Sequence, residues 1–167
     1  MSQYLRVKSS NFIDETVRVS FKFNGKTYHG FKGDTLASAL LSNGVHLIGR
    51  SFKYHRPRGI MTAGSEEPNA IVQIGNDQAI TEPNVRATEI EIYDGLEAVS
   101  QNCWPSVNFD IGGINNILSP FLPAGFYYKT FMWPASFWEK YEYIIRHSAG
   151  LGKSPKKPDT DIYDHRY

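Results

Sequence analysis

The residues best suited to bind an anion lie close together at positions 50–58. This stretch, RSFKYHRPR, contains four cationic side chains and no acidic one, and aromatic rings lie between the cations. Guanidinium groups bind phosphate and carboxylate oxygens through forked, charge-assisted hydrogen bonds. The stretch therefore predicts an anion site or a protein interface, and the candidate residues are Arg50, Lys53, Tyr54, His55, Arg56 and Arg58.

Three interpretations of this basic stretch remain open. The cations could pair with neighbouring acids while the rings of Phe52 and Tyr54 pack at the edge of the core. They could form a protein–protein contact, because arginine and aromatic side chains are enriched at such interfaces. They could also hold a cofactor phosphate that a neighbouring domain or subunit donates.

The remaining reactive residue types predict neither catalysis nor a metal site. His55, Asp110 and Ser106 are the residue types of a nucleophilic triad, but the sequence lacks a G-x-S-x-G nucleophile elbow. The five histidines do not have the spacing of metal ligands. Cys103 is the only cysteine, so the chain by itself cannot form a disulfide or a site that needs several thiolates. We expect Cys103 to be a small buried residue.

Length and charge limit the class of protein. A chain of 167 residues corresponds to one domain, or to one domain with an extension. The formal net charge of +1 argues against nucleic-acid binding, which requires a broad basic face. Neither a signal peptide nor a membrane-spanning segment is recognisable, so we expect a cytoplasmic protein that does not bind membranes.

A hairpin and a helix are predicted before the basic stretch. Residues 17–23 alternate between apolar and polar side chains and end at Asn24-Gly25, the dipeptide preferred in a type I′ turn. The next segment has the pattern of a short helix, with Asp34 as its N-cap and Gly44 as the left-handed residue after its end.

Further strands are predicted after the basic stretch. Residues 70–75 have the composition of a buried strand. Residues 87–100 alternate apolar with acidic side chains and are interrupted by a turn at Asp94-Gly95. Two strands, a helix and further strands are the order of a β-grasp, so the predicted fold class is α+β and ferredoxin-like.

The loop after the helix predicts that no iron–sulfur cluster is bound. Plant-type ferredoxins carry C-x4-C-x2-C in this loop, because thiolates must ligate the irons. The corresponding residues 59–72, GIMTAGSEEPNAIV, contain no cysteine. We expect the adjacent acids Glu66 and Glu67 to form a solvated, salt-bridged loop rather than a metal site.

The sequence changes character at Trp104. Twelve of the 40 residues between Trp104 and Tyr143 are aromatic, which is typical of a docking surface. A helix is predicted from Pro134 to the stop at Gly150, and the segment could support self-association. The docking candidates are Tyr127, Tyr128, Phe131, Trp133 and Trp138. The expected division is an N-terminal arm (1–15), a β-grasp domain (16–103), an aromatic-rich docking extension (104–152) and a linker-like tail (153–167).

Three long runs of the sequence resemble one enzyme family. Residues 33–70, 95–110 and 124–152 are similar to the N-terminal region of the α subunit of heterotetrameric sarcosine oxidase. The strings RSFKYHRPRG and GFYYKTFMWP are the most specific parts of this resemblance, which extends over nearly the whole chain.

The resemblance implies a place in a larger flavoenzyme. Such an enzyme demethylates sarcosine oxidatively to glycine, releases hydrogen peroxide and passes the one-carbon unit to tetrahydrofolate. Its cofactors would be FAD, FMN, NAD and tetrahydrofolate, and the partners would be the other α-subunit domains with the β, γ and δ subunits. This chain has no G-x-G-x-x-G fingerprint, so we expect cofactors and catalytic residues elsewhere in the complex. The alternative is a free-standing β-grasp adaptor that binds an anion or a protein partner and has no catalytic role.

Overall fold

A mixed five-stranded sheet with one helix packed on it forms the centre of the structure. The computed structural model describes residues 3–7, 12–121, 133–149, 152 and 154–158. The strands within these residues are β1 (Asp14–Phe23), β2 (Lys26–Lys32), β3 (Gly49–Arg50), β4 (Pro57–Arg58), β5 (Ile71–Ile74), β6 (Glu82–Arg86) and β7 (Glu97–Ser100). The helices are α1 (Leu36–Ser42), α2 (Ile114–Ile117) and α3 (Trp138–Ala149).

The order of the strands identifies the fold. The sheet runs β2-β1-β7-β5-β6, with β1 and β7 parallel and the other pairs antiparallel. Helix α1 buries Leu36 and Leu40 in the same apolar cluster as Phe21 and Val72 of the sheet. A hairpin, a helix and later strands that complete a mixed sheet make a β-grasp, so the predicted α+β, ferredoxin-like fold class is confirmed.

The first hairpin follows the sequence pattern. Asn24 and Gly25 have φ angles of 51° and 76°, as a type I′ turn requires. Gly44, with a φ angle of 76°, lies directly after the C-cap of α1. The predicted turn at Asn24-Gly25 and the predicted left-handed conformation of Gly44 are therefore confirmed.

The predicted N-cap of α1 is wrong by one residue. Thr35 caps the helix by accepting a hydrogen bond from the Ser38 backbone N–H at 3.2 Å. The Asp34 carboxylate is fully buried and accepts instead from the Phe31 N–H at 2.9 Å and from the Arg6 guanidinium. A buried charge needs such partners, and residues 3–7 are thereby fixed against the domain.

Residues 87–92 do not form the strand that their alternating pattern predicts. The carbonyl oxygens of Ala87 and Ile90 accept hydrogen bonds from the backbone N–H groups of Ala37 and Leu36, at 2.8 and 2.7 Å. The first N–H groups of any helix lack partners within it. This segment therefore satisfies the start of α1, and the preceding residues form β6.

The predicted C-terminal helix is present as α3, preceded by a 3-10 turn at Ala135–Phe137. The ring of Phe137 lies 6.1 Å from that of Tyr141, whereas Tyr143 and Ile144 are exposed. No helix in the described part of the chain has the length and apolar character needed to cross a membrane.

Candidate functional site

The basic stretch forms a small hairpin, which its sequence pattern did not predict. Strands β3 and β4 pair antiparallel, and the connection between them is closed by hydrogen bonds between Ser51 and Arg56. The Ser51 N–H donates to the Arg56 carbonyl at 2.9 Å, and the Arg56 N–H donates to the Ser51 hydroxyl at 3.0 Å. This hairpin presents the cationic side chains from one compact element.

The four cations of the hairpin line one cavity of about 570 Å³. None of the residues lining it is acidic. The structure thus brings together all the predicted anion-binding candidates except His55. The lining also contains polar residues that the sequence did not indicate: Ser51, Asn69, Asn84 and Asn102.

Tyr54 lies next to two of these cations. The Lys53 ammonium is 4.8 Å and the Arg56 guanidinium carbon 4.7 Å from the centroid of its ring. The negative face of an aromatic ring attracts cations at such distances. The Arg56 Nε also donates to the Asn116 side-chain oxygen at 2.9 Å, so two positive charges are held at one wall of the cavity.

The arginines of the hairpin contact neutral oxygens. Arg50 donates to the backbone carbonyls of Val107 and His55, and Arg58 donates to the Asn69 side-chain oxygen at 2.8 Å. Within the described residues, no ion pair involves Arg50, Arg56 or Arg58. Within these residues the three arginines therefore do not show the pairing with neighbouring acids that was the first of the three open interpretations.

Phe52 is 56% exposed, so it does not pack at the core edge as the same interpretation proposed. His55 instead ties the hairpin to the following segment. Its Nδ1 lies 2.7 Å from the fully buried Asp110 carboxylate. The Ser106 hydroxyl accepts from the Phe109 N–H at 3.1 Å, and within the described residues no hydrogen bond joins Ser106 to His55, so the contacts are not those of a triad.

The loop between β4 and β5 is organised by a buried carboxylate. The side chain of Glu67 is 1% exposed and accepts four backbone hydrogen bonds. One oxygen accepts from Met61 at 2.8 Å and Thr62 at 2.6 Å, and the other accepts from Asn69 at 2.7 Å and Ala70 at 3.1 Å. The expectation of a solvated, salt-bridged loop is wrong for Glu67.

These hydrogen bonds keep Glu67 ionised. Burial alone raises the pKa of the Glu67 carboxyl, but the four backbone donors outweigh it and hold the pKa below its ordinary value of 4.5. The resulting stabilisation is present above the unfolded-state pKa and is lost as the pH falls through the lower folded-state pKa. Glu66 is exposed, so the two adjacent acids lie in opposite environments.

The side chains of this loop do not fit an iron–sulfur cluster. Such clusters are held by cysteine thiolates, and the loop has none. The Cys103 sulfur lies 3.9 Å from the Ser100 carbonyl oxygen, and burial, followed by the Asp110 charge, raises the pKa of its thiol. No group of three or more His, Cys, Asp or Glu residues within the described ranges is placed to hold a metal ion.

Two of the five predicted docking residues lie within the described part of the chain. Trp133 is 85% exposed and Trp138 is 43% exposed. Tyr127, Tyr128 and Phe131 lie outside the described residues. Both described members of the set are therefore accessible to a partner.

This chain is similar to one protein-family model and to sarcosine oxidase subunits. Residues 16–103 match the family model described as "2Fe-2S iron-sulfur cluster binding domain". The sarcosine oxidase subunit alpha of Rhizobium meliloti (strain 1021) is 60% identical over 165 residues, which are 98% of this chain and 16% of that protein. The corresponding subunit of Corynebacterium sp. (strain U-96) is 40% identical over 88 residues, covering 52% of this chain and 9% of that protein.

A crystal structure of L-proline dehydrogenase from P. horikoshii is 22% identical, covering 50% of this chain and 15% of that chain, with a TM-score of 0.40. The present chain spans 16% or less of the curated relatives described above. The family match covers more than half of the chain and coincides with the β-grasp sheet. The chain therefore belongs to the 2Fe-2S iron-sulfur cluster binding domain family, and it is homologous to the N-terminal region of the sarcosine oxidase α subunit.

Proposed function

We propose that this chain is a non-redox structural and interaction module of a sarcosine oxidase-like flavoenzyme. The observation that carries this proposal is the Glu67 carboxylate, which organises the loop where β-grasp ferredoxins carry their cluster ligands. The homology to sarcosine oxidase α subunits supports membership in an oxidoreductase complex. No iron–sulfur cluster is expected, because the chain has one cysteine.

The chemistry of such a complex would take place on other domains and subunits. Oxidative demethylation of sarcosine to glycine, with peroxide release and one-carbon transfer to tetrahydrofolate, would use FAD, FMN and NAD bound outside this chain. The proposed partners are the remaining α-subunit domains and the β, γ and δ subunits. A single free thiol, Cys103, fits the reducing conditions of a cytoplasmic protein.

The exposed aromatic residues support docking onto such partners. Trp133 and Trp138 are accessible, and Tyr143 and Ile144 of α3 are also exposed. Large aromatic side chains at the centre of an interface commonly dominate its binding energy. We propose that this segment packs against the rest of the complex and that, without a partner, it supports self-association.

The basic cavity favours a second candidate function, which is binding of an anion. Four cationic side chains line this cavity, and no acid shares the lining. Arg56 and Arg58 donate hydrogen bonds to neutral side-chain amide oxygens. A charged phosphate oxygen would be a stronger acceptor for both guanidinium groups. The ligand would be a phosphate-bearing group, either presented by a partner domain or bound by a free-standing adaptor.

The non-redox role predicts that the chain alone has no oxidase activity and binds no cluster. The purified chain, treated anaerobically with iron and sulfide, should stay colourless because it lacks the required thiolates. Added sarcosine and free flavins should yield no more peroxide than a heat-inactivated control. Stoichiometric iron with visible absorption, or peroxide formation above that control, would contradict this role.

The basic cavity predicts a specific loss of anion binding in two variants. Arg56→Gln and Arg58→Gln should each weaken pyrophosphate binding about tenfold or more, because each removes a charge-assisted hydrogen bond. Calorimetric titration at constant ionic strength measures the effect. Arg18→Gln, which removes an equally charged but exposed side chain on β1, should bind like the unmodified chain. Equal losses in all three variants would show that only net charge matters.

The aromatic segment predicts that association can be weakened without unfolding the chain. Trp133→Ala should weaken self-association by about 2 kcal/mol, as loss of a central interface residue does. The melting temperature should not change, because the Trp133 side chain is exposed. Sedimentation velocity and thermal melts measure the two effects, and Tyr93→Ala, which removes an exposed aromatic ring of the β-grasp domain outside the docking extension, is the control. An unmodified chain that stays monomeric at every concentration would contradict the proposed self-association.

A further inference from the structure

Three residues around the buried carboxylate follow the spacing of cluster ligands. In plant-type ferredoxins the loop cysteines are spaced C-x4-C-x2-C, and the final ligand comes from a distant segment. Thr62, Glu67 and Ala70 have this spacing in the present chain. They also meet in space, because the Glu67 carboxylate accepts from the Thr62 N–H and hydroxyl and from the Ala70 N–H.

A distant segment also reaches this loop through a small polar side chain. The Thr88 hydroxyl donates to the Gly64 carbonyl at 2.6 Å. The Ala87 N–H next to it donates to the Ala70 carbonyl at 2.9 Å. Thr88 is nearly buried, so it occupies the position from which a final ligand would approach the loop.

The backbone of the loop is shaped to hold an anion. Groups of convergent backbone N–H groups form the concave sites that bind phosphates and iron–sulfur clusters in many proteins. Here the N–H groups of Met61, Thr62, Asn69 and Ala70 converge on the Glu67 carboxylate. The anion at the centre is therefore a side chain of the loop itself.

We infer that Thr62, Glu67, Ala70 and Thr88 occupy the ligand positions of a 2Fe-2S site, and that the Glu67 carboxylate replaces the cluster as the anion that shapes the loop. This inference rests on the proposed non-redox function and deepens it. The replacement also maintains the basic cavity, because Asn69 bonds through its N–H to Glu67 and through its side-chain oxygen to Arg58.

Cysteines at these positions should recreate the cluster site. The test uses the full chain with Thr62→Cys, Glu67→Cys, Ala70→Cys and Thr88→Cys, refolded without oxygen in ferric iron and sulfide. We expect about two iron atoms per chain, visible absorption and a paramagnetic signal after reduction. The matched control carries Thr62→Cys, Glu66→Cys, Asn69→Cys and Thr88→Cys. It has the same number of thiols at shifted spacing and should not take up stoichiometric iron.

The possible outcomes separate this inference from the proposed function. Metal binding and folding are coupled during refolding, so a variant that takes up no stoichiometric iron overturns the inference even if it does not fold without metal. Equal iron in the shifted control overturns it as well. Iron bound by the unmodified chain would contradict the inference and the non-redox function together, whereas failure of the four-cysteine variant alone would leave that function intact.

A second variant tests the carboxylate without added metal. Glu67→Gln preserves the shape of the side chain but removes the charge and turns one acceptor into a donor that faces backbone N–H groups. Its urea midpoint should fall at pH 7, and the difference from the unmodified chain should shrink as the pH drops through the folded-state pKa of Glu67. Glu66→Gln, at the exposed neighbour, should match the unmodified chain, and equal midpoints for both variants at pH 7 would overturn the role of Glu67.

Discussion

The buried charge of Glu67 is the interaction on which the loop between β4 and β5, and the basic cavity beside it, depend. An ionised group is tolerated inside a protein only when hydrogen bonds replace the water that it loses. Glu67 obtains them from both ends of its loop, from Met61 and Thr62 on one side and from Asn69 and Ala70 on the other. One carboxylate therefore closes the loop and fixes where β5 begins.

The basic cavity is a consequence of that closed loop and of the neighbouring hairpin. Asn69 joins the two, because its side-chain oxygen accepts a hydrogen bond from Arg58. The hairpin is held from the other side by the buried contact between His55 and Asp110. A concentration of positive charge with no acid in its lining is thus anchored on two sides, and this arrangement is the basis of the proposed anion binding.

Local sequence signals predicted the elements that local interactions determine. Asn24-Gly25 specifies a turn whose φ angles the residues themselves favour, and the hairpin follows directly. The alternation at residues 87–92 predicted a strand that does not form. Carbonyl oxygens of this segment instead accept hydrogen bonds from the first turn of α1, and a local pattern does not reveal such a long-range contact. Glu67 and Glu66 are indistinguishable in composition, and only the convergence of distant N–H groups determines which one is buried. The available signal was the position of Glu67 at the spacing of cluster ligands.

The most direct test of the role of Glu67 is the titration of its own carboxyl group. Carbon-detected nuclear magnetic resonance of the side-chain carboxyl, followed from pH 7 downward in the folded chain, reports the protonation of this one group. We predict that Glu67 stays ionised to a pH below its ordinary pKa of 4.5. A Glu67 carboxyl that takes up its proton above pH 4.5 would contradict the conclusion that backbone N–H groups hold an anion at the centre of the loop.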